Sequence, residues 1–335
     1  MKSCLNPRFA HRLEALCDRA KSPLATWLTV FCLTLVTTCP AYAGGDEFSI
    51  GIIAPSPTAA SDDSALRQAL SETDDDNLAF VVVNGIKSAE ENCTDSLYLE
   101  RKILFDGAKN GLIVSLAGAD WTGCRNTTGR SAAIERLNRL RELFFAEDFS
   151  FGASKLPLSR QSNAVKFRGF AENARWEFGP VLFATINLPS DNNHFLLAAG
   201  RNNEFEDRTI ANREWLQRLV TIAARRKLLA LVLFCDSDPL ALPVPAPRRD
   251  GYAEVREQLA QLAGHFPGRI LVVHDRTRAE AGSAAGISWK GNLGSLAVAS
   301  GWLRLTVAPS TPALFAVTLN DSVQPAHPGK KSATK

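Results

Sequence analysis

Histidine is scarce in this sequence, and the scarcity limits the metal chemistry that the chain can support. Only five histidines occur in 335 residues: His11, His194, His265, His274 and His327. The first belongs to an N-terminal leader and the last to a C-terminal stretch that is expected to be disordered. A structural zinc site needs four ligands, commonly histidine and cysteine. The count therefore argues against a metal centre built from several histidines.

Long apolar runs and dense basic runs are also missing after the leader, which covers residues 1–43. No later apolar stretch approaches the roughly 20 residues that a membrane-spanning helix needs. The leader has five basic and two acidic residues and so carries the whole net charge of +3. The remaining chain has 33 charges of each sign, and its basic residues form no run longer than Arg225-Arg226-Lys227. We therefore expect no nucleic-acid partner, since such proteins present a basic face, and no membrane span after residue 43.

The leader has the three parts of an export signal. Its basic residues precede an apolar segment, Thr26 to Cys39, which Pro40 ends. Small residues then occupy both required positions of Ala41-Tyr42-Ala43, and this pattern predicts cleavage after Ala43. Because the leader is long for a signal, an uncleaved N-terminal membrane anchor is the alternative.

From residue 44 to residue 320 the pattern predicts one α/β domain, followed by a disordered tail at 321–335. Strands and helices first alternate, with strands at 48–53, 79–83 and 112–116 and helices at 62–71, 95–108 and 132–145. Three strand-like segments follow at 165–170, 175–178 and 181–188, then helices at 210–226 and 255–265 with strands at 228–234 and 269–273. Strands at 286–289, 303–307 and 314–319 complete the order. Such an order is typical of a four-layer α/β/β/α sandwich with two mixed sheets.

Three cysteines remain after the leader. Cys93 and Cys124 fall in adjacent loops at one predicted sheet edge, and an export compartment permits disulfides. We predict a bond between them, which closes a loop of about 30 residues and contributes on the order of 3 kcal/mol. Cys235 follows a buried strand, so we expect an inert thiol.

Several motifs recur in an order that resembles one known family. They are Cys93-Thr94-Asp95 with Tyr98 and Arg101, Trp121-Thr122-Gly123-Cys124, Glu172-Asn173-Ala174-Arg175-Trp176, Ile186-Asn187 with Asn192-Asn193, and Arg208 with Ala211-Asn212-Arg213-Glu214-Trp215-Leu216. The chain is similar to the calcineurin-like metallophosphoesterases, especially to an exported bacterial branch, over about residues 47–320. The resemblance implies a fold of two packed sheets. It also implies that the protein is exported to the periplasm or outside the cell.

The positions that would hold the family's two metals are mostly replaced in this chain. A metal-binding Asp and its partner two residues later fall on Pro55 and Pro57, the bridging Asp on Gly85 and an Asn ligand on Ala119. A two-metal site needs a bridging group between cations about 3.5–4 Å apart. The resemblance therefore implies that no resident cofactor is held. A single weakly bound divalent metal is the alternative.

Four residues have side chains that could bind a ligand or take part in catalysis where the family holds its metals. Asp120 could be a general acid, and His274 a base or a lone metal ligand, although a turn aspartate and a satisfied structural histidine are common. Arg276 and Arg278 are suited to a phosphate or carboxylate, although salt bridges with nearby acids would also explain them. Asp236 and Asp238 could form a carboxylate pair, but Ser-Asp-Pro is an ordinary turn.

These observations favour a protein that has lost catalysis and acts by binding or as a scaffold. The expected partner is an anionic small molecule or a protein of the cell envelope. The alternative is a residual metal-dependent phosphoesterase that uses Asp120 and His274. A purely structural envelope protein is a third hypothesis.

Overall fold

The computed structural model describes residues 45–54, 63–197, 202–243, 248–275, 286–299 and 301–319. They belong to one compact unit that begins at Gly45. The predicted export signal and tail lie outside the described residues, as do four predicted site residues: Pro55, Pro57, Arg276 and Arg278. None of the helices within the described ranges is long and apolar enough to cross a membrane.

The first of two mixed sheets has five strands in the order β12-β11-β1-β2-β3. Its strands are β1 (Phe48–Ala54), β2 (Val81–Asn84), β3 (Leu112–Ser115), β11 (Gly301–Ala308) and β12 (Leu314–Leu319). Strands β1, β2 and β3 are parallel, while β11 runs antiparallel to both β1 and β12. The first strand of the unit therefore lies inside the sheet, between β2 and β11.

The second sheet has seven strands in the order β4-β5-β6-β7-β8-β10-β9. Its strands are β4 (Ser159–Arg160), β5 (Ala174–Phe178), β6 (Val181–Thr185), β7 (Ala230–Phe234), β8 (Arg269–Asp275), β9 (Ile287–Lys290) and β10 (Leu293–Val298). Strands β6, β7, β8 and β10 are parallel, and antiparallel strands complete both edges. The predicted α/β class with two mixed sheets is confirmed.

Helices cover the outer face of each sheet. The helices are α1 (Ser64–Asp74), α2 (Asp95–Asp106), α3 (Ala133–Phe144), α4 (Asn203–Arg225) and α5 (Ala253–His265). The first three pack on the five-stranded sheet, and α4 and α5 pack on the seven-stranded sheet. Stripes such as Leu137, Leu140 and Phe144 on α3 are buried because residues three and four apart share one helix face.

A third core lies between the two sheets and joins them. Residues at alternate positions of each strand enter it, such as Ile52 and Val82 from one sheet and Val232 and Leu271 from the other. Apolar runs such as Val81–Asn84 are buried on both faces, which is why they contain almost no polar residues. The three cores give the layer order helix, sheet, sheet, helix.

Three features differ from the sequence expectation. The segment predicted as a strand at 165–170 instead begins with a short 3-10 turn, Val165–Phe167, and Val165 is 77% exposed without a neighbouring strand. Strand β10 was not expected, because Gly294 and Ser295 interrupt its apolar pattern. Helix α4 begins at Asn203 rather than near residue 210; its first turns are mostly polar, and the buried residues in them are Phe205 and Arg208.

Candidate functional site

The carboxyl ends of the central strands of both sheets meet at one edge, where α/β folds place their binding sites. Asn84 at the end of β2 donates from Nδ2 to Asp275 Oδ1 (2.6 Å) at the end of β8 and to the carbonyl oxygen of Cys235 (2.9 Å). We call the group of strand-end residues Asn84, Gly118, Asp236 and Asp275 the cleft; these residues are buried or partly buried. Asn84 thus links the two sheets at this place.

Asp236, just after β7, makes a second link across the cleft. Its Oδ2 accepts the backbone N–H of Gly118 (2.7 Å) and that of Ser190 (2.6 Å). A Cβ atom on Gly118 would lie 2.8 Å from Ser190 Oγ and 3.0 Å from Asp236 Oδ2, so a larger residue would displace the Ser190 hydroxyl and crowd the Asp236 carboxylate. The carboxylate therefore holds the loop after β3 against the segment after β6.

Asp120 is completely buried in a 3-10 turn, and both its oxygens are engaged. Oδ1 accepts the backbone N–H of Ile86 (2.8 Å) and Lys87 (3.0 Å), and Oδ2 accepts that of Ala117 (2.8 Å). The hydroxyl of Tyr98 donates to the Asp120 carbonyl oxygen (2.7 Å). Burial raises the pKa of Asp120 to about 6 even though the three N–H groups oppose the shift. Asp120 thus fastens the loops after β2 and β3 to each other.

The predicted disulfide is present beside this turn. Cys93 and Cys124 are bonded, with their Cα atoms 5.7 Å apart. Cys93 directly precedes Thr94, whose Oγ1 accepts the backbone N–H of Leu97 and caps helix α2. Cys124 is buried four residues after Asp120. The bond therefore joins the start of α2 to the loop that carries Asp120.

His274 does not face the cleft. Val273 and Asp275 lie on the inner side of β8, so the side chain between them points to the opposite face of the sheet. The ring is fully buried, with Nδ1 2.9 Å from the Asp275 carbonyl oxygen and Nε2 2.9 Å from Ser295 Oγ. Asp238 Oδ2 is 3.7 Å from Nε2. The imidazole therefore has hydrogen-bond partners at both nitrogens.

The other acidic and thiol candidates also have defined surroundings. Asp236 belongs to the cleft, whereas Asp238 lies near His274 and accepts the backbone N–H of Leu240. Burial and the neighbouring Asp236 raise the pKa of Asp275 well above its ordinary value. Burial likewise raises the pKa of the Cys235 thiol, which disfavours the reactive thiolate.

The residues at the cleft do not fit a two-metal centre. Gly85 and Ala119 have no side-chain donor atom, and Asp120 directs both oxygens to backbone N–H groups. Asn84 Oδ1 and Ser115 Oγ are the buried oxygens there without a hydrogen-bond partner, and neither is charged. In the part of the chain that the structure describes, no group of three or more His, Cys, Asp or Glu side chains could hold a metal ion.

A strained turn next to the cleft was missed by the sequence reasoning. Asp191, Asn192, Asn193 and His194 all have positive φ, between 53° and 61°. Left-handed backbone costs about 1–2 kcal/mol for each ordinary residue, but Asp, Asn and His tolerate it best. The run Asp-Asn-Asn-His was therefore a readable signal. The turn is held by Asp236 through Ser190 and by a ring contact of 4.8 Å between His194 and Trp121.

A scan of protein-family models and a search of curated proteins both find no match for this sequence. The carboxyl groups of the site act as hydrogen-bond acceptors that fix loops, and burial lowers the pKa of His194 in the neighbouring turn, which favours the neutral ring. Such an arrangement gives a preformed surface at the edge of two sheets.

Proposed function

We propose that this protein is a non-catalytic, metallophosphoesterase-like binding or scaffold protein that is exported from the cytoplasm. Its expected partner is an anionic small molecule or a protein of the cell envelope. Arg276 and Arg278, which follow the cleft residue Asp275 directly, are the proposed contacts for an anion, because guanidinium groups bind phosphate and carboxylate in a bidentate manner. Their location lies outside the described residues.

One observation carries this proposal. Asp120 and Asp236 are the carboxylates that face the loops of the cleft, and they accept three and two backbone N–H groups respectively. A carboxylate that binds a cation directs lone pairs to it, whereas both oxygens of Asp120 and Oδ2 of Asp236 are directed to N–H donors. The acids at this edge therefore support a fixed shape rather than a two-metal centre.

The alternative, a residual phosphoesterase that uses Asp120 and His274, gains no support from the geometry. Asp120 has no exposed atom, and its loop N–H partners would have to be released before it could donate a proton to a substrate. His274 points away from the cleft and has partners at both ring nitrogens. A general acid or base must lie within hydrogen-bond reach of the reacting group.

Metal content and turnover, measured on the purified protein, separate the two functions. We expect no stoichiometric Mn, Fe, Zn or Ca by elemental analysis and no hydrolysis of generic phosphoesters with added metal. Stoichiometric metal together with turnover that disappears in His274→Ala would establish the enzyme instead.

Binding of inorganic phosphate, followed by calorimetry, tests the anion contacts. We expect Arg276→Ala with Arg278→Ala to weaken phosphate binding by about tenfold or more, since hydrogen bonds to charged groups contribute about 1.5–3 kcal/mol each. Arg125→Ala with Arg130→Ala is the matched control, because both arginines are exposed in a different loop. Equal loss in the two pairs would indicate nonspecific charge and contradict the assignment of this site.

A further inference from the structure

Four strands form the edges of the two sheets, and they differ in how they are protected from further pairing. An edge strand presents unpaired backbone N–H and C=O groups, and proteins usually cover it, shorten it or place charges on it. The edges are β3 and β12 in the five-stranded sheet and β4 and β9 in the seven-stranded sheet. Three of them carry such a protection.

Strand β3 is covered, because Leu112 exchanges backbone hydrogen bonds of 2.9 and 2.8 Å with Phe151. Strand β4 has only two residues, one of which is Arg160. Strand β9 has four residues and ends in Lys290 at a tight turn. Each of these edges is a poor template for a further strand.

Among the residues that the structure describes, nothing gives strand β12 any of these protections. It has six residues, Leu-Phe-Ala-Val-Thr-Leu, with no charge and no proline. Ala316 and Thr318 are exposed on its outer face, and Leu319 is 49% exposed. Its pairing partner is β11, and no other strand within the described ranges pairs with it.

The arginines described near this edge are directed to other groups, and Arg269 donates to the Pro312 carbonyl oxygen (2.8 Å) in the turn before β12. Arg304 lies opposite Thr318 on β11, but its guanidinium is paired with Asp76. The chain that follows β12, residues 320–335, contains Pro325 and Pro328 and has its lysines near its end. Because proline lacks the N–H that a ladder needs, this segment is a poor strand for its own edge.

We propose that β12 docks a second copy of the chain, with the two β12 strands antiparallel about a two-fold axis. This strand is its own complement, since it is uncharged and exposes small side chains at Ala316 and Thr318 on one face. A single strand pair buries less than the roughly 1,000 Å² of a stable interface, so the dimer is reversible.

Sedimentation velocity of the full protein over a range of concentrations tests this proposal. We expect a monomer–dimer equilibrium that Ala316→Lys weakens about fivefold or more, because like charges then face each other across the pair. Ser288→Lys, on the exposed face of edge strand β9, is the matched control and should leave the equilibrium unchanged. The unfolding midpoint of both variants reports whether the fold is intact.

Hydrogen exchange of the β12 amides provides a second measurement that does not depend on a variant. Protection of residues 314–319 should rise with protein concentration. A protein that stays monomeric at every soluble concentration overturns the proposal. In that case, protection at all concentrations would indicate that the chain covers its own edge, and fast exchange would leave the edge open for another protein.

Discussion

Two buried carboxylates, Asp120 and Glu172, are held at the same end of the molecule by different means. Asp120 accepts three backbone N–H groups, and the nearby Lys87 directs its ammonium group to the carbonyl oxygens of Ser88 and Glu91 instead. Glu172 forms a bidentate pair with Arg141, with N···O distances of 2.8 and 2.7 Å. Asp120 therefore has dipoles but no directly bonded cation, whereas Glu172 has a full compensating charge.

The difference explains which region should respond to pH. Backbone dipoles offset only part of the desolvation of a buried charge, and the pKa of Asp120 rises to about 6 as a result. A guanidinium offsets it by direct charge and adds geometric specificity through its planar fork. The Asp120 turn fixes loops within one sheet, while the Glu172 pair fixes helix α3 to the loop before β5. Four experiments test this difference between the two carboxylates.

The largest effect is expected for Asp120→Ala. The variant leaves three buried backbone N–H groups without an acceptor, and each costs about 1–3 kcal/mol. We expect the free energy of unfolding to fall by about 3–6 kcal/mol in denaturant titrations. Glu90→Ala, an exposed acid in the adjacent loop, should change it by less than about 0.5 kcal/mol. A loss as small as that of the control would show that the Asp120 hydrogen bonds contribute no stability.

Removing the disulfide tests how much the bond beside the Asp120 turn contributes to the stability of the fold. For Cys93→Ser with Cys124→Ser, loop entropy predicts a loss of about 3–4 kcal/mol in unfolding free energy. Reductant should produce the same loss in the native protein and no further change in the double variant. If reductant destabilises both equally, the loss comes from another source.

Glu172→Gln should have a somewhat smaller effect. Arg141 then keeps a mostly buried charge without its anionic partner, which costs about 3 kcal/mol of unfolding free energy. Replacing both residues by methionine should restore part of the loss, because no isolated charge remains. Additive losses in the double variant would mean that the two side chains do not interact energetically.

The smallest effect is the pH dependence of Asp120. Its pKa is higher in the folded protein (about 6) than the ordinary value of 3.8, so the stabilising form is the protonated one. This contribution is fully present below about pH 3.8 and is lost as the pH rises through 6, on the order of 2–3 kcal/mol.

Asp120→Asn isolates this contribution because asparagine does not ionise. The difference in unfolding free energy between the native protein and the variant should decline between pH 4 and pH 7. Asp236 and Asp275 also have raised pKa values and are present in both proteins, but the charge of Asp120 itself helps to raise the pKa of Asp275, so the Asp275 contribution cancels only in part. A difference that is flat across this range contradicts the raised pKa of Asp120.

Much of the fold could be predicted because its core strands are apolar at nearly every position, a pattern that predicts buried strands. Runs such as Val81–Val83 and Ala230–Phe234 are β-branched or apolar at every position, as strands buried on both faces require. Strand β10 could not be predicted in this way, because Gly294 lies under the ring of Trp289 and Ser295 bonds His274. Glycine and serine at these positions suit neighbours that only the folded structure brings close. The local sequence pattern does not reveal such contacts.

The candidate site was predictable in position but not in detail. Asp120 and His274 were recognised as groups near strand ends, and the Cys93–Cys124 bond is present. The direction of each side chain depends on strand register, and a shift of one residue moves it to the opposite face. This is why His274 lies outside the cleft while Asp275, which the sequence did not single out, lines it.

The place of β1 in its sheet has a consequence for the order in which the protein can fold. Phe48 pairs with Val307, so the first strand of the unit can complete its pairing only after nearly the last strand has been synthesised. Contacts between such distant residues form slowly, because a long loop must close before they stabilise anything. A ribosome will have made almost the whole chain before this sheet can be completed. Until then the five-stranded sheet lacks β11 and β12, and the edge of β1 that later pairs with β11 stays unpaired.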